Sequence, residues 1–239
     1  MRNSLSKFAL AAGVSLALVF TFSCSGGDDD GGSSGVGGGG SCVGNKGNNM
    51  ANYKTKQIGS KTWMLENLNY NVAGSRCYGE GSRVMVNYDI KSGKYIYATL
   101  SNAEIEANNV KYGRLYDWET AKTICPSGWH LPSDDDWQEL VNFAGGIDVA
   151  GEKLKAKNSW DEDNGTDDYG FSALPGGHLI DGNFNGECSD CFFDVGNFGS
   201  WWSSSGLNYW WGMTDFSKNV TIGSPASNGS LMSVRCVKD

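Results

Sequence analysis

The sequence predicts an α+β domain, with two helices packed on a loop-rich antiparallel sheet and cross-linked by disulfides, held beyond an N-terminal leader and a Gly-rich tether. Three observations carry this expectation. Apolar residues recur at helical spacing after Leu115 and again after Ser133. Most of the chain beyond Gly146 consists of short β-type runs broken by Gly, Asn and Asp. Of seven cysteines, six lie beyond residue 24 in a chain whose first residues have the layout of an export signal.

Arg2 and Lys7 precede an apolar run from Phe8 to Phe22, which ends at Ser23 and Cys24. That run is shorter than the roughly 20 residues a spanning helix needs. It reads as a secretory signal over residues 1–23. The junction resembles a bacterial lipobox, in which the cysteine becomes the acylated N-terminus, although Thr21 and Phe22 stand where an aliphatic and a small residue are usual. Lipidation at Cys24 is therefore expected, and with it a membrane as partner and an outer-membrane, surface-exposed location. The alternative, a plain signal with an incidental cysteine, leaves an exposed thiol in an oxidising compartment. Residues 24–49 are mostly Gly, Ser, Asp and Asn and read as a flexible tether. Its acidic triplet, Asp28 to Asp30, resembles surface-export signals, with simple solvation as the alternative.

Residues 50–239 have the length of one domain and no composition break. The net charge is −8 before the leader with its two cations is removed. Such a surface repels nucleic acid and anionic lipid, so nucleic-acid binding is excluded.

Within the domain, Ile58-Gly59-Ser60-Lys61-Thr62-Trp63 reads as two short strands joined by a turn. Leu115, Trp118, Ala121 and Cys125 share one helical face, and Pro126, Ser127 and Gly128 stop that helix. Ser133 opens a second helix with Asp136 as capping-box partner, and Asp134 and Asp135 favour its N-terminal dipole. Trp137, Leu140, Val141 and Ala144 form its apolar face before Gly145 and Gly146. The remainder is expected to be loop and strand without a further long helix. Strands are expected at 201–203, 209–213, 220–222 and 231–237, the last half-buried, with Met232, Val234 and Cys236 alternating with Ser233 and Arg235.

Several ordered motifs add to this reading. They are Ile58-Gly59, Thr62-Trp63-Met64, Glu66-Asn67-Leu68-Asn69-Tyr70, Tyr112-Gly113-Arg114-Leu115-Tyr116-Asp117-Trp118 and Cys125-Pro126-Ser127-Gly128-Trp129-His130-Leu131-Pro132. Further along the chain stand Gly170-Phe171-Ser172-Ala173-Leu174-Pro175-Gly176-Gly177, Gly199-Ser200-Trp201-Trp202-Ser203-Ser204 and Ser233-Val234-Arg235-Cys236-Val237. Together they resemble the Fibrobacter succinogenes major paralogous domain family, which is similar to C-type-lectin-like folds and more distantly to the formylglycine-generating enzyme. The resemblance implies a disulfide between Cys125 and Cys236, first helix to last strand. Cys188 and Cys191, close together in an Asn/Gly/Asp-rich loop, are expected to pair with each other rather than act as a redox couple. Many members answer a cysteine at the position of Cys77 with one before the Tyr-Gly-Arg-Leu-Tyr segment. Here Asn108, Asn109 and Val110 stand there, which leaves Cys42 as the partner of Cys77.

Chemistry is sparse. His130 and His178 lie in turns, and no Ser-His-Asp set, phosphate loop or zinc motif occurs. The reactive cysteines of the formylglycine-generating enzyme have no match, so no catalytic residue is assigned and no enzyme is expected. Paired carboxylates for glycoside hydrolysis are the residual catalytic option. No cofactor is expected. Asp161, Asp163, Asp167 and Asp168 form the one calcium candidate, against a solvated acidic loop. The outward members of Trp201-Trp202 and Tyr209-Trp210-Trp211 are the expected ligand contacts, since one side chain of each adjacent pair faces away from the core. The expectation is a non-enzymatic, lectin-like adhesion module for a polysaccharide or a surface protein. A divergent enzyme or a structural envelope protein is the alternative.

Overall fold

The computed structural model describes residues 42, 46–162, 165–184, 188–223 and 226–239. Cys24, the leader, most of the tether and Asp163 lie outside the described residues. Those described fall in one unit, Gly38–Asp239, so Cys42 belongs to the folded part. Among them, no helix is long and apolar enough to cross a membrane.

The chain opens with β1 (Thr55–Ile58), β2 (Lys61–Met64), β3 (Ser75–Arg76), β4 (Val84–Asp89) and β5 (Lys94–Ala98). Next come α1 (Asn102–Tyr112), β6 (Leu115–Tyr116), α2 (Trp118–Ile124), β7 (Trp129–His130), α3 (Asp134–Phe143) and α4 (Ala150–Leu154). It closes with β8 (Gly176–Phe184), β9 (Cys188–Val195), β10 (Phe198–Trp202), β11 (Trp210–Thr214), β12 (Val220–Gly223) and β13 (Val237–Lys238). Three sheets result, ordered β1-β2-β13-β7, β12-β11-β10-β8-β9-β4-β5 and β3-β6. The α+β class stands, but the seven-stranded sheet is mixed rather than antiparallel, since β10 meets β8 and β4 meets β9 in parallel.

Helix starts follow local chemistry. Asp117 caps α2 through the Thr120 amide at 2.7 Å. Ser133 and Asp136 form a reciprocal capping box on α3. Asp134 goes further, accepting from Ser203 Oγ at 2.6 Å and Trp211 Nε1 at 2.8 Å, which ties α3 to the tryptophan strands. Burial alone would raise the Asp136 carboxyl, but donors from Lys61 and Ser133 outweigh it and hold the group at about 2.

Three further expectations are corrected. Helix α1 is a long helix that the pattern concealed. Its buried positions are Ile105, Asn109 and Tyr112, and an asparagine in the middle of the inward stripe breaks the apolar period. The segment 230–237 is buried throughout, Arg235 and Ser233 included, because it is central rather than half-exposed. It meets Tyr116, Leu179 and Trp201 through isolated bridges at 231–233 before β13 pairs with β2 and β7.

The third correction concerns the tryptophans. Trp201 and Trp202 are both 0% exposed, although they point to opposite faces of β10. Trp201 enters the cluster of Trp63, Trp137, Phe171 and Trp211, beneath α3. Trp202 enters that of Tyr116, Trp118, Met232 and Cys236, beneath α2 and the C-terminal segment. Both sides of the sheet are covered here, so alternation gives no outward face. Trp211, directly opposite Trp201, is buried too, while Trp210 and Tyr209 are half-buried. Gly223 makes room for Trp210: a Cβ there would lie 1.8 Å from the indole.

Candidate functional site

The indole N–H groups show how completely the ring-bearing strands serve the core. Trp201 donates to Asn67 Oδ1 at 2.9 Å and Trp202 to the Tyr116 carbonyl at 2.6 Å. Neither has surface or a free donor for a ligand. The expected aromatic contacts therefore reduce to Tyr209 and Trp210.

The three cystines are Cys125–Cys236, Cys42–Cys77 and Cys188–Cys191, with Cα separations of 5.8, 6.4 and 6.0 Å. Cys188 and Cys191 sit in β9 rather than in a loop, packed with Phe193. Among the described residues, Cys42, Cys77 and Glu80 are the one set of metal-type donors close together. Two of the three are oxidised, and Arg114 occupies the centre of the set. Its Nη1 lies 2.7 Å from Cys42 Sγ and 3.1 Å from Cys77 Sγ, and its Nη2 lies 3.2 Å from Glu80. The guanidinium supplies the positive charge there, so the cluster is structural.

Among the described residues, Asp161, Asp167 and Asp168 of the calcium candidate form no cluster of metal-type donors. Asp167 uses both oxygens on Ser172, one on its amide at 2.7 Å and one on its hydroxyl at 2.6 Å. Asp168 is placed by its amide on the Lys153 carbonyl, and Asp163 is outside the described residues. Asp161 instead approaches Gly196, where a Cβ would lie 2.5 Å from its carboxylate.

That approach leads to a hollow of about 310 Å³ at the ends of β10 and β11. Phe198 and Phe216 are its apolar walls, and Glu162, Asp194, Asn197 and Asp215 are its polar groups. Three backbone bonds hold the loops together: Asp161 to Gly196 at 3.0 Å, Asn197 to Asp194 at 3.1 Å and Asp215 to Asn197 at 2.9 Å. Below them the buried Lys155 ammonium donates to the Thr214 and Ser217 carbonyls, each at 3.0 Å, and fixes the turn that carries Asp215 and Phe216.

Burial raises the Asp194 carboxyl above the ordinary range. Burial also raises Asp215, with repulsion from Glu162 and Asp161 adding to it. Among the described residues, no lysine or arginine forms an ion pair with Glu162, Asp194 or Asp215. The hollow thus gathers acidic and amide groups between two rings, and among the described residues none of its acids is in an ion pair. Sequence reasoning missed these residues because they come from three separate loops and their acids are scattered among 27 Asp and Glu.

His130 is structural, its ring meeting Asp136 at 3.2 Å and Asp239 at 2.6 Å. His178 stacks on Phe193 at 5.9 Å and meets the edge of Phe198 at 5.7 Å. Burial there pushes its imidazole down to about 4, so it is neutral in the folded protein. The unfolded chain takes up this proton below about 6.5. The stability conferred by a neutral His178 is therefore complete above that value and is lost as the pH falls towards 4, by at most about 3 kcal/mol. His178→Phe should flatten the midpoint of thermal unfolding across this range. Comparison with the unmodified chain isolates the effect from Asp194 and Asp215, whose raised values act with the opposite sign. Parallel curves for the two proteins would refute the assignment.

No curated protein and no solved structure matches the chain significantly. The family model described as the Fibrobacter succinogenes major domain matches residues 57–238, from the first strand to the last, and the chain belongs to that family.

Proposed function

We propose that the protein is a cell-envelope recognition module, acylated at Cys24, with a C-type-lectin-like fold that presents the hollow at Phe198 and Asp215 to a polyhydroxylated ligand such as a cell-wall polysaccharide. The observation that carries this reading is the combination of two rings with carboxylates that lie outside any described ion pair and whose values are raised by burial. Aromatic faces stack on the apolar faces of sugars, and carboxylate and amide oxygens accept from hydroxyl groups. Perturbed acids in a concave site mark a functional candidate. The bridge from Cys125, at the end of α2, to Cys236 beside the last strand supports the lectin-like comparison.

The test is binding of the Gly38–Asp239 unit to an array of plant and bacterial polysaccharides, with and without calcium. Saturable binding that weakens about tenfold in both Phe198→Ala and Asp215→Asn is the expected result, the size of one lost contact worth about 1.4 kcal/mol. Because Asp194 and Asp215 must be ionised to accept freely, affinity should also fall as the pH is lowered towards their raised values. Binding indifferent to both substitutions, or no binding to any glycan, removes the proposal.

The same raised acids carry a second reading. A carboxylic acid whose pKa is raised by burial can serve as the general acid of a glycoside hydrolase, with a second carboxylate as partner. Release of reducing ends from a polysaccharide, abolished in Asp194→Asn, would replace binding with hydrolysis.

A further inference from the structure

Residues between Met85 and Tyr97 form a β-hairpin whose strands pair only with each other. β4 touches the rest of its sheet at a single position, Val84 opposite Phe192, and β5 is the edge strand. Beyond that point the hairpin is an arm: Met85 and Tyr97 at its base pack on Phe193, but its outer apolar residues are uncovered. Val86 is 54% exposed, Tyr88 46%, Ile96 45% and Ile90, in the turn, 86%. The turn is preformed rather than loose. Asp89 accepts from the Lys91 amide at 2.9 Å and the Ser92 hydroxyl at 2.7 Å, and Gly93 closes it at φ +69° with its amide on the Asp89 carbonyl at 2.8 Å.

The order of side chains along the arm is specific. Ile90 is at the tip. Lys91 and Lys94 flank it, both exposed and, among the described residues, neither in an ion pair with an acid. One step back, Tyr88 and Tyr95 stand opposite each other with ring centroids 4.9 Å apart. An apolar tip, cations beside it and tyrosines about 7 Å behind reproduce the depth profile of a lipid interface. Apolar exposure on both faces of the arm fits immersion better than contact with a flat protein surface.

The place where the chain leaves the described structure points the same way. Cys42 is bonded to Cys77, and Leu100, two residues past β5, packs against that cystine. The segment leading back to Cys24 thus joins the folded unit at the base of the arm. The sequence between Cys24 and Cys42 is short and Gly-rich, so an anchor at Cys24 would keep the arm close to the bilayer.

We propose that the β4–β5 arm inserts its tip into the outer layer of a phospholipid bilayer and fixes the orientation of the domain on the membrane. The tether argument rests on acylation at Cys24, whereas the arm's own chemistry does not. Testing the unacylated chain separates the two.

The Gly38–Asp239 unit holds all three cystines and every core cluster, and, because Lys91 and Lys94 at the tip dominate the short-range field there over the acidic remainder of the surface, it should float with vesicles of mixed phosphatidylethanolamine and phosphatidylglycerol. Ile90→Asp should reduce the vesicle-bound fraction at least about tenfold while leaving the thermal midpoint unchanged, since its side chain touches no core. Lys91→Glu with Lys94→Glu should weaken binding to these vesicles and leave binding to neutral phosphatidylcholine unaltered. A protein that stays in solution, or an Ile90→Asp variant that floats equally well, overturns the proposal. A dimer in sedimentation that Ile90→Asp dissociates, without vesicle uptake, overturns it in favour of self-association.

Discussion

Replacing Cys125 and Cys236 together by alanine is expected to cost about 5 kcal/mol of stability. The cystine closes a separation of 111 residues, and the chain-entropy cost of leaving so long a loop open is nearly the largest one cross-link can relieve. Cys236 is fully buried in the cluster that joins Met64, Trp118, Trp202 and Val234, and the Met64 amide donates to its carbonyl at 3.1 Å. For a domain of this size each kcal/mol moves the thermal midpoint by about 2–4 °C, so a drop of roughly 10–20 °C is expected.

The other two cystines set the scale for that result. Cys42–Cys77 closes a separation of 35 and should contribute about 4 kcal/mol, while Cys188–Cys191 closes a separation of 3 and should contribute about 2. Calorimetry on the three double-alanine variants measures the ranking. Equal losses from all three would show that local packing rather than loop closure controls their contribution.

What was legible in the sequence has a common cause: α3, and α2 from Trp118 onward although Leu115 belongs to strand β6, could be read because local chemistry determines them. The Ser133–Asp136 box and the apolar positions Trp137, Leu140 and Val141 lie within one short window, and the fold uses them as the window suggests. α1 could not, since Asn109 interrupts its inward stripe; that residue is buried, and its backbone carbonyl accepts from the Asn69 side-chain amide at 3.3 Å. Trp201 and Trp202 failed differently. Alternation was correct, but the second face of β10 is covered by α2 and by residues 230–236, which no local pattern reveals. The hollow was the least legible. Asp194, Asn197 and Asp215 meet only through backbone bonds between loops.

This division explains why the motifs that identify the family do not mark the candidate site. They meet instead at Arg235, which is fully buried. Its Nε donates to Asn67 Oδ1 at 3.0 Å, its Nη2 to the Ser172 carbonyl at 2.8 Å, and its Nη1 to the Phe171 carbonyl. The guanidinium also lies 4.3 Å from the Phe171 ring centroid and 5.8 Å from that of Trp201. Segments near residues 67, 171, 201 and 235, far apart in sequence, are thereby joined at one cation. Burial pushes this guanidinium down to about 9, with Asp167 and Glu66 opposing, so it remains protonated at neutral pH.

Arg235→Met should therefore destabilise the protein by about 3–5 kcal/mol despite its similar length and apolar character. The substitution leaves two buried carbonyls and one side of Asn67 without their donors, and an unpaired buried polar group costs far more than its hydrogen bond contributes. Arg235→Lys should rescue little, because a single ammonium cannot reach three acceptors arranged for a planar fork. Urea unfolding measures both. An Arg235→Lys variant as stable as the parent would show that charge alone is required here. A methionine variant within about 1 kcal/mol of the parent would show that the motifs are held together by their apolar packing, with Asn67 and the carbonyls of Phe171 and Ser172 able to find other donors.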